Sequence, residues 1–470
     1  MKTINFIIGI SLFFLILFLP IPFEVSQKKT LAITILIAYF WISETLPIYI
    51  TALFPLLLFP ILKVLTPYEA SSPYSSPEVY LFLGGFLIAK AMEKHNLHKR
   101  ISFFFIKIFP KSIYGILMGI MFSVGFLSAW MSNTATCIMA FPIVMAILKS
   151  FEVERENINK AFLLSIAYAS SIGGISTPIG TPPNIIFLGQ FKRLFPEYPE
   201  ITFFKWFIIF FPLSLTFLFL LWLLFSILFL KKEKINFDYK KILEEKEKIG
   251  KMKFEEKILL IIFLIVCLLW LTRNFWEKIL NLKGFSHDSL VAVLGGISLF
   301  LIPYKENGKF KPLLDWETGS KIPWGILLLF GGGFSIATAF EKTLLTQKLS
   351  EYLKIFGKLN PLIFLIGICT FLVFLTEVTS NTATATIILP FLGGLSKALN
   401  INPIILMLPA TISVSYAFML PSGTPPNAII FASGKIKIKD MAKIGFFLNF
   451  LGIFLNILFF FTIGKFILKI

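Results

Sequence analysis

Long apolar runs separated by short polar or basic stretches make up most of this chain, and two polar tracts interrupt the pattern from within. Ser132-Asn133-Thr134-Ala135-Thr136 lies among apolar residues and returns as Ser380-Asn381-Thr382-Ala383-Thr384. A second pair follows: Gly180-Thr181-Pro182-Pro183-Asn184 recurs as Gly423-Thr424-Pro425-Pro426-Asn427. Pro-Pro removes two amide donors and forces the preceding residue out of the helical region, which predicts a broken helix in each apolar segment, over 158–191 and 402–432. The apolar runs flanking each Ser-Asn-Thr, about 113–131 and 135–148 in the first copy, are short for spans of ~20 residues. They predict re-entrant hairpins with Ser-Asn-Thr at the tip, over 113–148 and 360–397. Irregular backbone is tolerated at membrane depth only where protein or a wet cavity surrounds it.

The remaining runs predict spans at 4–22, 30–47, 48–67, 78–92, 203–230, 256–272, 287–303, 324–341 and 443–468. The first is too long for a signal-peptide core and lacks a small-residue cleavage site, so it reads as a retained helix. The basic stretch 93–111 predicts an amphipathic helix along the membrane surface, with Phe103 to Phe105 on its buried face. Glu44, in Ile42-Ser43-Glu44-Thr45, reads as an interfacial turn residue or as a membrane carboxylate.

An internal duplication follows from register. Leu81 to Lys94 matches Leu329 to Lys342 at ten of fourteen positions, 248 residues apart. The Ser-Asn-Thr copies, Ser165 with Ser413, and Tyr168 with Tyr416 keep the same spacing, which then slips to 243 at Thr181 and Thr424. Counting from the first glycine span up to the second gives five spans, and an odd number makes the repeats inverted. With each hairpin returning to its own side, the chain is expected to be an all-α integral membrane protein with about 11 transmembrane helices, two re-entrant hairpins and two broken helices in two inverted repeats. The domain boundaries are expected at 1–75 (scaffold helices), 76–230 (first repeat), 231–257 (charged cytoplasmic linker), 258–322 (scaffold helices) and 323–470 (second repeat).

Composition supports the membrane assignment. Hydrophobic residues make up 56% of the 470 and the mean hydropathy is +0.83, too apolar for a soluble surface. A net charge of +18 alone could suggest nucleic acid, but the basic residues cluster between apolar runs as cytoplasmic loops require, so no nucleic-acid partner is expected. That asymmetry puts the amino terminus in the cytoplasm and the carboxyl terminus outside the cell membrane. Cys137, Cys267 and Cys369 lack CxxC spacing, and His95, His98 and His287 form no ligand constellation. With no in-membrane histidine or carboxylate pair and no nucleotide, flavin or haem signature, neither an enzyme nor an organic cofactor is expected. A membrane-embedded transferase remains a distant alternative.

Corresponding helix breaks in two halves point to a transporter's substrate site. Asn offers an amide donor and a carbonyl acceptor, and Ser and Thr hydroxyls can do either job. At a hairpin tip, one half-helix ends in free carbonyls suited to Na⁺ and the next begins with free amides suited to an anion. The alternative is that small polar residues only let helices pack closely, to which four motifs in two matched pairs are the counterweight. No basic residue stands in the motifs, so cations would have to neutralise a divalent substrate.

These paired motifs resemble those of the divalent anion/sodium symporter family, which carries dicarboxylates, citrate or sulfate. The resemblance covers nearly the whole chain. It implies one Na⁺ at Ser128, Ser132, Asn133 and backbone near Gly180, and another at Thr376, Asn381 and backbone near Thr379 and Gly423. It implies substrate carboxylates at Asn133, Thr134, Asn381 and Thr382, with Thr181, Pro182, Thr424 and Pro425 lining the site. A homodimer in membrane lipid and elevator movement of the hairpins and broken helices are also implied. The expected function is Na⁺-coupled symport of a small divalent anion, a dicarboxylate such as succinate or malate first. A proton-coupled carrier or an anion exchanger for citrate or sulfate is the alternative. Glu377 lacks a counterpart, since Ala129 holds the matching position. It reads either as a proton or cation site, or as a partner for a nearby helix terminus.

Overall fold

The computed structural model describes residues 2–149, 155–231, 247, 249–282, 284–306, 308–353 and 360–469. Most of the expected charged linker, 232–246 and 248, lies outside the described residues.

The helices come in matched pairs. The glycine helices are Pro77–Lys94 and Trp324–Lys342. The hairpin arms are Ile113–Ser128 with Asn133–Lys149, and Pro361–Thr376 with Asn381–Leu399. The broken helices are Glu156–Gly174 with Pro182–Leu194, and Pro403–Ser413 with Pro425–Phe431. Each series closes with a long helix, Phe203–Phe225 or Ile438–Phe459, running into a five-residue π turn, Ser226–Leu230 or Phe460–Gly464. Among the described residues, four helices are long and apolar enough to cross a membrane, Phe203–Leu230, Trp324–Lys342, Asn381–Leu399 and Ile438–Leu468. Phe254–Leu271 and Arg273–Ile279 form a further pair, bent by 78°.

Several boundaries differ from the sequence expectation. The first two helices are Lys2–Phe18 and Val25–Ser43, and the third is split into Ile48–Thr51 and Phe54–Ile61. Glu44 is exposed at a φ of 46° just beyond the second helix, so it is a turn residue. The surface helix is Leu97–Ile108, with Phe103 buried but Phe104 61% exposed, so the three phenylalanines do not share one buried face. Its counterpart, Leu345–Leu353, was not anticipated. Both follow a residue in the left-handed region, Asn96 at φ 55° and Leu344 at φ 54°, again 248 apart. The all-α expectation also misses a small hairpin, Pro303–Glu306 paired antiparallel with Lys309–Pro312. The sequence between its strands is Asn-Gly, and Gly308 has a φ of 82°, as a tight hairpin turn requires.

Packing explains the glycine helices without any binding role. A Cβ at Gly84 would stand 2.3 Å from the Ala292 carbonyl on helix Asp288–Leu301, and one at Gly332 would stand 2.5 Å from the Ala52 oxygen. Only a bare backbone allows so close an approach. The hairpins pack crosswise against the breaks. Helix Asn133–Lys149 lies on Pro425–Phe431, and helix Asn381–Leu399 lies on Pro182–Leu194. Gln190 Nε2 fastens the second crossing by donating to the Thr386 carbonyl at 2.9 Å and the Gly333 carbonyl at 3.3 Å.

Candidate functional site: twin oxygen clusters at the hairpin tips

Each hairpin tip places a hydroxyl from the end of its first arm against the asparagine that opens its second. Ser128 Oγ lies 2.7 Å from Asn133 Oδ1 and 2.7 Å from the Ser170 carbonyl of the first broken helix. Thr376 Oγ1 lies 2.5 Å from Asn381 Oδ1 and 3.0 Å from the Val414 carbonyl of the second. Ser128 and Thr376 are fully buried. A hydroxyl has one proton, so wherever the asparagine oxygen faces it, one oxygen-to-oxygen contact holds no hydrogen. The first cluster has two solutions. The Asn133 amide atom facing Ser128 also lies 3.2 Å from the Ser170 oxygen and 3.3 Å from the Gly180 oxygen, so nitrogen there has three acceptors in reach of its two hydrogens and satisfies the amide. With oxygen there, four oxygens converge, an arrangement that a hard cation would stabilise.

The breaks are held open by their own asparagines. Asn184 Nδ2 donates to the carbonyls of Gly174 (3.2 Å) and Thr177 (2.8 Å). Asn427 Nδ2 does the same for Ala417 and Leu420, at 2.9 Å each. Glycine is needed where these turns close on the hairpin. A Cβ at Gly180 would meet the Gly174 oxygen at 2.3 Å, and one at Gly174 would meet Asn133 Oδ1 at 2.3 Å. Thr181 and Thr424 precede the Pro-Pro helices in extended conformation, φ −143° and −144°, as N-cap residues do. Pro182 and Pro425 then occupy the first helical position, where their missing N–H costs nothing.

The expected cation residues Ser128, Asn133 and Gly180 meet in one cluster, and Thr376 meets Asn381 in the other. Ser132 Oγ is occupied in accepting from Ala135 N at 3.2 Å. Thr379 Oγ1 is taken up by the Leu375 carbonyl and Thr384 Oγ1, so only its backbone is on offer. Asn133, Thr134, Asn381, Thr382 and Pro182 are half-buried and Pro425 is exposed, in contrast to the sealed hydroxyls behind them. A cleft of about 590 Å³ lies elsewhere, between the foot of the first hairpin's second arm (Pro142, Ile147) and Lys94, Lys99 and Lys311.

Sequence reasoning missed the carbonyls of Ser170 and Val414, because any residue supplies one. It also missed Asn449 and Asn456, fully buried on helix Ile438–Phe459. Asn456 Nδ2 donates to the Pro409 carbonyl at 2.8 Å and Ser413 Oγ at 3.2 Å. Two asparagines seven residues apart on one face of an apolar helix were the available signal.

The family described as the sodium:sulfate symporter transmembrane region matches residues 1–470. The chain belongs to that family. It is therefore a membrane transport protein and not an enzyme. A sodium-dependent dicarboxylate transporter, SdcS, of Staphylococcus saprophyticus is 43% identical over 470 residues, covering 97% of this chain and 90% of that protein. SdcS of Staphylococcus aureus is 42% identical over 475 residues with the same coverage. Two solved transporters share the fold at low identity. Neisseria gonorrhoeae MtrF has a TM-score of 0.59 at 13% identity, over 86% of this chain and 83% of that one. Alcanivorax borkumensis YdaH has a TM-score of 0.58 at 11% identity, over 87% and 88%.

Proposed function

We propose that this member of the family is a secondary active transporter that moves a small dicarboxylate, such as succinate or malate, together with Na⁺. The observation that carries this is the twin cluster. In each half, a buried hydroxyl, an asparagine amide and a broken-helix carbonyl converge; in the second half Thr376 has one proton for two acceptor oxygens, and no basic residue stands in the motifs to serve an anion. Two Na⁺ ions would complete the clusters, one with Ser128, Ser132, Asn133 and Gly180, the other with Thr376, Thr379, Asn381 and Gly423. Their charge would offset that of a divalent substrate. Its carboxylates would rest on Asn133, Thr134, Asn381 and Thr382 at the positive ends of the second arms, with Thr181, Pro182, Thr424 and Pro425 around them. The names of the SdcS relatives favour dicarboxylate over sulfate.

The two hairpins and two broken helices grip one another crosswise and so form a body able to move as one, which favours an elevator mechanism. The cleft beside the first hairpin, lined by both lysines and carboxylates, suits a wet path open towards the cytoplasm. Eleven crossings in two inverted repeats, an inside amino terminus, an outside carboxyl terminus in the cell membrane and a homodimer complete the proposal, with the domain boundaries given above.

The test is uptake of radiolabelled succinate into proteoliposomes under an inward Na⁺ gradient and an equal K⁺ gradient, with malate, citrate and sulfate as competitors. Uptake that requires Na⁺ and is competed by malate is expected. Equal uptake under both gradients would overturn Na⁺ coupling, and competition by sulfate alone would overturn the substrate class.

A further inference from the structure

A carboxylate is buried beside the second cluster without a counter-charge. Glu377, 3% exposed, follows Thr376 at the end of the hairpin's first arm. Its Oε1 accepts from Met419 N at 2.9 Å and Asn449 Nδ2 at 2.8 Å, and its Oε2 accepts from Leu420 N at 3.0 Å. Among the described residues, no Lys, Arg or His pairs with it. Three neutral donors engage its two oxygens but do not cancel its charge, and an uncompensated charge inside a membrane protein is strongly unfavourable.

The loop that Glu377 holds by its amides is held by its carbonyls from the other side, because Asn427 Nδ2 donates to Ala417 and Leu420. The first break has only half of this arrangement. Asn184 holds the carbonyls of Gly174 and Thr177, while Ala129 in place of Glu377 offers only its backbone oxygen, which accepts from Thr177 Oγ1. Two consequences separate the clusters. Ligands fixed before the ion arrives lose less freedom when it binds, which favours the second cluster. The Glu377 charge adds to this, since Glu377 directly follows Thr376 in the chain and its Oε2 is only 2.9 Å from where a Cβ on Gly423 would stand.

We propose that Glu377 is a positioning residue that makes the Thr376–Asn381 cluster the tighter of two unequal cation sites and the first to fill. This rests on the twin-site symporter reading. The cation shares the field of Glu377 without any need for the carboxylate to be a ligand, and the cluster around Asn133, which lacks that field, fills second.

The experiment measures the Na⁺ dependence of succinate uptake in proteoliposomes for the wild type, Glu377→Gln and Glu377→Asp, alongside Na⁺ titration of the thermal unfolding midpoint without substrate. In Glu377→Gln the half-saturating Na⁺ concentration should rise at least tenfold in both readouts, while the succinate KM at saturating Na⁺ stays within twofold. Glu377→Asp keeps the charge and should recover most of the shift. It also carries the test should the Gln variant fail to fold, with a half-saturating Na⁺ two- to fivefold above wild type. A fall in maximal rate or folded yield with half-saturating Na⁺ unchanged would make Glu377 a structural clamp alone and overturn the proposal. Wild-type uptake and unfolding both indifferent to Na⁺ would overturn the symporter reading itself.

Discussion

Ser128 and Thr376 each sit between an asparagine amide and a broken-helix carbonyl at a proposed cation site, so removing either hydroxyl should act on the cation more than on the fold. Ser128→Ala is expected to cut Na⁺-driven uptake more than tenfold, whereas Thr376→Ser, which keeps the oxygen, should stay within a few-fold of wild type. Equal loss in both would point to packing instead. Gly180→Ala is expected to abolish uptake, because its Cβ would meet backbone at 2.3 Å, while at Gly423 the nearest atoms are Glu377 Oε2 at 2.9 Å, Ala417 Cβ at 3.1 Å and the Leu420 oxygen at 3.3 Å, so Gly423→Ala should be milder. Much of this was legible in the sequence. Hydroxyl and amide side chains in an apolar setting stand out, and their recurrence at 248 residues separates them from chance. The carbonyls of Ser170 and Val414 were not legible, because a backbone ligand leaves no mark on residue type. Asn184 and Asn427 were in the quoted motifs, but their work, holding carbonyls ten and seven residues back, becomes apparent only when the break is folded.

The breaks also explain why the repeat register slips. Ser165 and Ser413 keep the 248 spacing, but Gly174 and Ala417, gripped alike by Asn184 and Asn427, stand 243 apart. The first half-helix stays wound to Gly174, whereas the second ends at Ser413. The two half-helices thus end at different points of the repeat, and no sequence pattern announced where the second would stop. Carbonyls exposed in this way need partners, since a buried acceptor left unpaired costs about 1–3 kcal/mol. Asn184→Leu strands two of them and should lower the unfolding midpoint by several degrees. An unchanged midpoint would show that the break does not depend on this side chain. The surface helix Leu345–Leu353 escaped notice for a related reason: the asparagine that starts its partner is replaced by Leu344, which hides the boundary signal while the backbone keeps the same left-handed turn.

Two ion pairs tie the halves together crosswise. Lys94 at the end of the first glycine helix meets Asp315 ahead of the second, and Lys342 at the end of the second meets Glu69 ahead of the first, each at 2.5 Å. The Lys342 ammonium holds the Glu69 carboxyl down to about 2, and Lys94 holds Asp315 well below the usual carboxylate range. Because both are depressed, the contribution is complete above the ordinary carboxylate range and is lost as pH falls through about 2. Both pairs are partly exposed, so each is worth less than about 1 kcal/mol and weakens with salt. Transport between pH 8 and 5 should show no titration from them, and Lys342→Ala should lower the unfolding midpoint slightly at low salt and not at high salt. A transport step in that range that Lys342→Ala abolishes would contradict this. At the level of the whole molecule, the central claim is that both halves supply a cation cluster and that neither suffices alone. The most direct test compares Na⁺-driven succinate uptake in wild type, Asn133→Ala and Asn381→Ala, with folding of each verified by size-exclusion chromatography. Both folded variants are predicted to fall to background. Wild-type-like uptake in either one would contradict the claim of two required sites.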